Sequence, residues 1–125
     1  MLVFFKPMSS LEYALIYREF PIYLCPMDQV EIFKALSNNT RLQILQWLKE
    51  PQANFPEQLD VGFADGVCVG QIQRKAGLTQ STVSEYLAIL QRAGLVKSKR
   101  VGQWTFYSRN EEAFSTLFET IKTTI

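Results

Sequence analysis

From Thr40 to Glu50 the chain reads TRLQILQWLKE, with Leu42, Ile44, Leu45 and Leu48 recurring at helical spacing. This predicts a helix with one apolar stripe, N-capped by Asn38 and ended by Pro51. Just before it, Val30, Phe33 and Leu36 beside Lys34 predict a short helix from Asp28. Nearer the N-terminus, Ser9 and Glu12 have the spacing of a capping box at the head of LEYALIYREF, which Pro21 and Pro26 terminate. Apolar residues cover more than one face of that segment, so it needs cover nearly all round, from a partner subunit or from its own domain. Residues 51–66, PQANFPEQLDVGFADG, hold two prolines and two glycines without a helical period and read as a loop.

The second half is organised differently. Residues 67–77 predict a helix ending at Gly77; Thr79 caps the next, QSTVSEYLAILQRAG, which closes at Gly94. Helix, tight glycine turn, helix is the helix-turn-helix arrangement. Val83, Leu87 and Leu90 point inward at i, i+4 and i+7, which leaves Ser81, Thr82, Ser84, Glu85 and Arg92 toward solvent. After Gly94 the period falls to two: LVKSKR, VGQ and WTFYSR predict a β-hairpin, with Trp104 and Phe106 on one side and Thr105 and Tyr107 on the other. Phe114, Leu117, Phe118 and Ile121 then mark a last amphipathic helix, whose stripe suits pairing with a symmetry mate.

Charge sharpens this picture. The net charge is only +1, but residues 71–110 carry Arg74, Lys75, Arg92, Lys97, Lys99, Arg100 and Arg109 against Glu85 alone, a net +6. Such a block is the footprint of a nucleic-acid-binding element. Composition excludes much else. The chain has no histidine, which removes the commonest general base and the usual nucleophile pairs, so an enzyme is not expected. Two cysteines, Cys25 and Cys68, are too few for a disulfide framework and fit a reducing compartment, the cytoplasm. The apolar run opening MLVFFKPM is too short for a signal or a membrane span, and Met8 and Met27 are alternative starts. At 125 residues the chain makes one modest core, often completed by dimerisation.

The ordered motifs FKALSNNTRLQIL, LTQSTVSEYLAILQRAGLV and GQWTFYS, spread over residues 28 to about 120, resemble the ArsR/SmtB family of winged helix-turn-helix repressors. The resemblance implies a mainly α fold with a small β-hairpin, in which residues 28–125 form a winged helix-turn-helix domain ending in a dimerisation helix. Residues 1–27 lie outside it and read as an apolar arm associated with the dimer. It also implies a homodimer joined through the N- and C-terminal helices, double-stranded operator DNA with dyad symmetry as partner, and repression as the outcome. Gln80, Ser81, Thr82 and Ser84 match the family's DNA-contacting positions, and Lys97, Lys99, Arg100 and Gln103 match the wing. Glu85 and Tyr86 stand where the family often has a basic residue and a histidine, so Glu85 either reads a base or points away.

Many relatives bind thiophilic metals through a Cys-Val-Cys pair on the helix before the recognition helix. Here the matching residues are Cys68, Val69 and Gly70, and the histidines of the family's other sensory site are missing. No metal site and no cofactor are therefore expected. Two alternatives stay open. Cys25 and Cys68 form a redox- or metal-responsive pair, as a disulfide if their Cα atoms lie within about 7 Å or as an incomplete metal site, or the domain serves protein interaction without DNA.

Overall fold

The structure, a computed structural model, describes residues 26–125. The helix expected after Ser9, Cys25 and all of the expected arm of residues 1–27 but Pro26 and Met27 lie outside the described residues; those two already belong to the first helix. In chain order the elements are α1 (Pro26–Leu36), α2 (Asn39–Lys49), a single turn α3 (Pro51–Asn54), a 3-10 turn (Pro56–Gln58), β1 (Val67–Cys68), α4 (Val69–Ala76), α5 (Gln80–Arg92), β2 (Val96–Val101), β3 (Trp104–Arg109) and α6 (Glu111–Thr124).

Asn38 opens α2 as expected, its Oδ1 accepting from the Arg41 N–H at 2.9 Å. The helix buries Ile44, Leu45 and Leu48, but Leu42 is exposed. Leu42 lies more than a quarter turn from the centre of that stripe. Helix α1 buries Ile32 and Ala35 and turns Val30 and Phe33 outward, against the stripe read from Val30 and Phe33.

Residues 51–66 are not all loop. Pro51 and Pro56 each sit in a first helical turn, where the missing N–H costs nothing. Between them Phe55 inserts into the core, 1% exposed. The helix expected over 67–77 begins only at Val69, because Val67 and Cys68 pair antiparallel with Tyr107 and Phe106. The wing is thus a three-stranded sheet of order β1-β3-β2. Gly66 makes that pairing possible: its φ is +111°, and a Cβ there would lie 2.5 Å from the Tyr107 carbonyl oxygen.

The sheet register sorts the wing side chains. Ser98, Tyr107 and Val67 stand in one row, and Lys99, Phe106 and Cys68 in the next. Paired residues share a face and successive residues alternate. Val67 is buried and Tyr107 packs on the core, so Cys68, Phe106 and Lys99 face outward. Arg100 falls on the inner face with Ser98, and Lys97 on the outer face with Lys99. One core joins the helices to the sheet: Ile44, Phe55, Ile72, Val83, Leu87, Leu90 and Leu95 are all 0–1% exposed. Burying each such side chain stabilises the fold by about 1.5–3 kcal/mol before entropic costs.

The stripe expected on the last helix divides. Ala113 and Leu117 are buried and Phe114 packs on the core, whereas Phe118, Ile121 and Ile125 are exposed. Asn110 caps this helix, its Oδ1 accepting from the Ala113 N–H at 3.4 Å, and donates from Nδ2 to the Gly94 carbonyl at 3.0 Å.

Candidate nucleic-acid interface

Helix α5 is held by its inner face and presents its outer one. Val83, Leu87 and Leu90 are fully buried, while Gln80, Ser81, Ser84 and Glu85 are exposed. Gly77, at φ +67°, ends α4 and lets the chain turn into α5, its N–H donating to the Gln73 carbonyl at 3.0 Å. Thr79 then caps α5, accepting from the Thr82 N–H at 3.2 Å.

The Thr79 hydroxyl donates to Thr82 Oγ1 at 2.9 Å and lies 3.3 Å from that of Ser81. Thr82 is therefore half-buried in the capping network, apart from its exposed neighbours. Three hydroxyls gather at the positive end of the α5 dipole, a setting that favours an anion such as phosphate. Glu85 shares the outer face with Ser81 and Ser84 and makes no hydrogen bond or ion pair with another described residue. Its carboxylate is available to solvent.

Tyr86 lies under the Arg41 guanidinium, 5.4 Å from the ring centre. Arg41 Nε donates to the Ala35 carbonyl at 2.7 Å and Nη2 to the Lys34 carbonyl at 3.1 Å. This one side chain closes the C-terminal end of α1 and braces α5, a role not read from the sequence. Gln91, near the end of α5, donates from Nε2 to Ser98 Oγ at 3.0 Å and so ties the helix to β2.

The wing cations do not act as one group. Lys97 and Lys99 point to the outer face and Arg100 to the inner. Arg100 Nε donates to the Gly102 carbonyl at 3.1 Å, which folds the side chain toward the hairpin turn where Gln103 is exposed. Lys99 Nζ is 2.6 Å from Asp65 Oδ1. Trp104 stands 55% exposed beside that turn.

Two members of the basic block serve structure instead. The Arg109 side chain is only 12% exposed, pairs with Glu111 at 2.8 Å, donates to the Leu45 carbonyl at 3.4 Å and stacks on Phe114 at 3.8 Å. The hydrogen bond from Arg109 holds the Glu111 carboxyl below its usual 4.5, with smaller help from the charges of Arg109 and Lys49 against the effect of burial. Lys75 places its ammonium 5.2 Å from the Trp47 ring and 5.9 Å from that of Phe55. The positive surface is therefore narrower than the charge count suggests.

Gln58 is the other residue that the sequence does not signal. Buried in the loop before β1, it donates from Nε2 to the Gly66 and Gly62 carbonyls at 2.8 and 2.9 Å and accepts from the Cys68 N–H at 2.9 Å. It sets the path of residues 59–66 into the sheet. Cys68 is a free, half-buried thiol on the strand, not on a helix and not in the core. At Gly70 an added Cβ would meet nothing closer than Arg74 Nη2 at 4.0 Å, so a second thiol is missing for reasons of sequence and not of space. Among the described residues no group of three or more potential ligands could hold a metal ion, and no helix is long and apolar enough to cross a membrane.

Helix, glycine turn, exposed recognition helix and three-stranded wing define a winged helix-turn-helix domain of the kind that binds DNA. Comparison with known proteins places it more narrowly. The profile described as "Bacterial regulatory protein, arsR family" matches residues 67–98. The chain is 54% identical over 101 residues to the uncharacterized HTH-type transcriptional regulator YbzH of Bacillus subtilis, covering 79% of this chain and all of that one. It is 30% identical over 90 residues to the transcriptional activator HlyU of Vibrio cholerae, across 72% of this chain and 70% of HlyU. Among solved structures, a Mycobacterium bovis fragment superposes with a TM-score of 0.58 at 30% identity, over 80% of this chain and 94% of that one. A solution structure of the same fragment, described as a homodimeric winged helix-turn-helix DNA-binding domain, gives 0.53 at 26% identity, over 94% and 86%. The chain belongs to the ArsR family of DNA-binding transcriptional regulators, a family of regulators and not of enzymes.

Proposed function

We propose that the protein is a cytoplasmic repressor that binds a dyad-symmetric operator as a homodimer, without a dithiolate metal site. The carrying observation is the outer face of α5, with Gln80, Ser81, Ser84 and Glu85 exposed beside a wing fastened to the same helix by the Gln91–Ser98 hydrogen bond. Residues 28–125 form the DNA-binding and dimerising unit, and residues 1–27 an arm that adds to the dimer. In this reading the hydroxyls of Ser81, Ser84 and, through the cap, Thr82 engage phosphate at the helix N-terminus. Gln80 and Glu85 reach base edges, where Gln suits adenine and Glu accepts from the cytosine N4 amino group. Lys97, Lys99, Arg100 and Gln103 hold the backbone flanking each half-site.

Selection of bound duplexes from a random library tests this directly. The selected sequence is expected to show two half-sites related by a dyad, and Glu85→Ala to change the preferred base while leaving binding to the duplex class intact. A uniform loss across all duplexes would assign Glu85 no reading role. Repression follows if the selected site overlaps the promoter; a reporter driven from that promoter should then rise when the protein is removed, and a fall would make it an activator.

A thiol response through Cys68 and Cys25 is a second reading, favoured by the outward, half-buried position of Cys68 in the strand that joins the wing. Oxidant that releases duplex from the wild type but not from Cys68→Ser would support it. Equal binding in both proteins would remove it.

A further inference from the structure

Asp65 is the carboxylate that meets Lys99. It stands at the end of a loop whose position is tightly determined: Gln58 holds the Gly62 and Gly66 carbonyls, the Gly66 N–H donates to Phe63 at 3.0 Å, and Gly66 presses on the Tyr107 backbone. Lys99 starts two strands away on β2, level with Phe106 and Cys68. Its side chain crosses β3 and ends 2.6 Å from Asp65 Oδ1. The partner is thus presented by a braced loop, and Lys99 bends to reach it. The Lys99 side chain remains 63% exposed and that of Asp65 36%, so solvent and a DNA phosphate have access to both.

We propose that Asp65 is an affinity-setting residue of the DNA interface: its carboxylate holds the Lys99 ammonium against the sheet and competes with a DNA phosphate for it. The inference rests on the reading of the wing lysines as backbone contacts. While the pair is closed, Lys99 contributes no phosphate contact and Asp65 repels the backbone. Opening it frees one cation in each protomer.

The test is a cycle of Asp65→Asn, Lys99→Met and the double variant, measured against a duplex selected by the wild type, from 0.05 to 0.3 M salt. One added phosphate contact steepens the dependence of log K on log salt by about 0.9 per protomer and strengthens binding about eightfold per protomer at 0.1 M salt. Asp65→Asn should therefore bind more tightly with a steeper slope. Lys99→Met alone should weaken binding by less than the roughly eightfold per protomer of a full phosphate contact, because Asp65 competes for that ammonium, and in the double variant it should cancel the gain. Asp65→Ser, which lacks the amide, should behave as Asp65→Asn does, and both should melt as the wild type does.

Unchanged or weaker binding by both Asp65 variants overturns the inference. So does a gain that survives Lys99→Met, because it would not run through this lysine. If the wild type selects no duplex at all, the DNA-binding reading itself fails, an outcome distinct from either.

Discussion

Gln58 bonds three backbone groups around its loop, the buried Gly66 carbonyl and the half-buried Gly62 carbonyl and Cys68 N–H. Leucine in its place should lower stability by roughly 2–4 kcal/mol, since unsatisfied buried groups cost about 1–3 kcal/mol each. Urea unfolding measures this, and an unchanged midpoint would contradict it. Glu111 makes a pH-dependent contribution. Its carboxyl titrates below its unfolded value in the folded state, so the stabilisation is complete above about 4.5 and is lost as pH falls through the lower folded value. Because Glu111 is 65% exposed, the effect is about 1 kcal/mol or less. Glu111→Gln should therefore melt below the wild type at pH 7 and match it near pH 2.

What could be read in advance at this scale was local. Asn38 and Thr79 cap by bonding three residues ahead, and both were evident from residue type and position. Arg109 was not, because its partners include the Leu45 carbonyl, 64 residues away. Charge counting placed it in the DNA footprint, and packing withdrew it.

Among the elements, the long periodic helices α2 and α5 and the hairpin of β2 and β3 follow from their patterns, and β1 does not. Two residues carry no period, and β1 exists only because β3, some forty residues later, offers an open edge. That correction moved Cys68 from a helix to the outer row of the wing. Helix α6 shows a second limit: its stripe was legible, but not which part would be buried within the protomer. Ala113 and Leu117 face its own core, and Phe118, Ile121 and Ile125 are left exposed. Phe118→Glu should weaken a dimer held by this face by at least about thirtyfold, the equivalent of a hot-spot residue at about 2 kcal/mol. Sedimentation over a concentration series measures the shift. An unchanged dimer would place the interface elsewhere. The wing tip offers its own reporter: Trp104 is 55% exposed, so in a Trp47→Phe background its emission should shift to the blue on duplex binding if the tip enters the interface. An unmoved spectrum would leave the tip outside.

For the whole molecule the net charge of +1 is a poor guide, and the distribution of charge is a better one. Of the seven cations between residues 71 and 110, Arg109 is internal, Lys99 is paired and Lys75 lies over aromatic rings. Lys97 and Arg100 remain on the wing without an acidic partner among the described residues, beside the exposed face of α5. A dimer engaging DNA in this way makes at least four cation–phosphate contacts. The most direct measurement is therefore the affinity for a selected duplex across salt concentration. The interface described here predicts that log K falls with log salt with a slope of about −3.6 or steeper. A slope near zero, or no duplex selected at any salt, would contradict it.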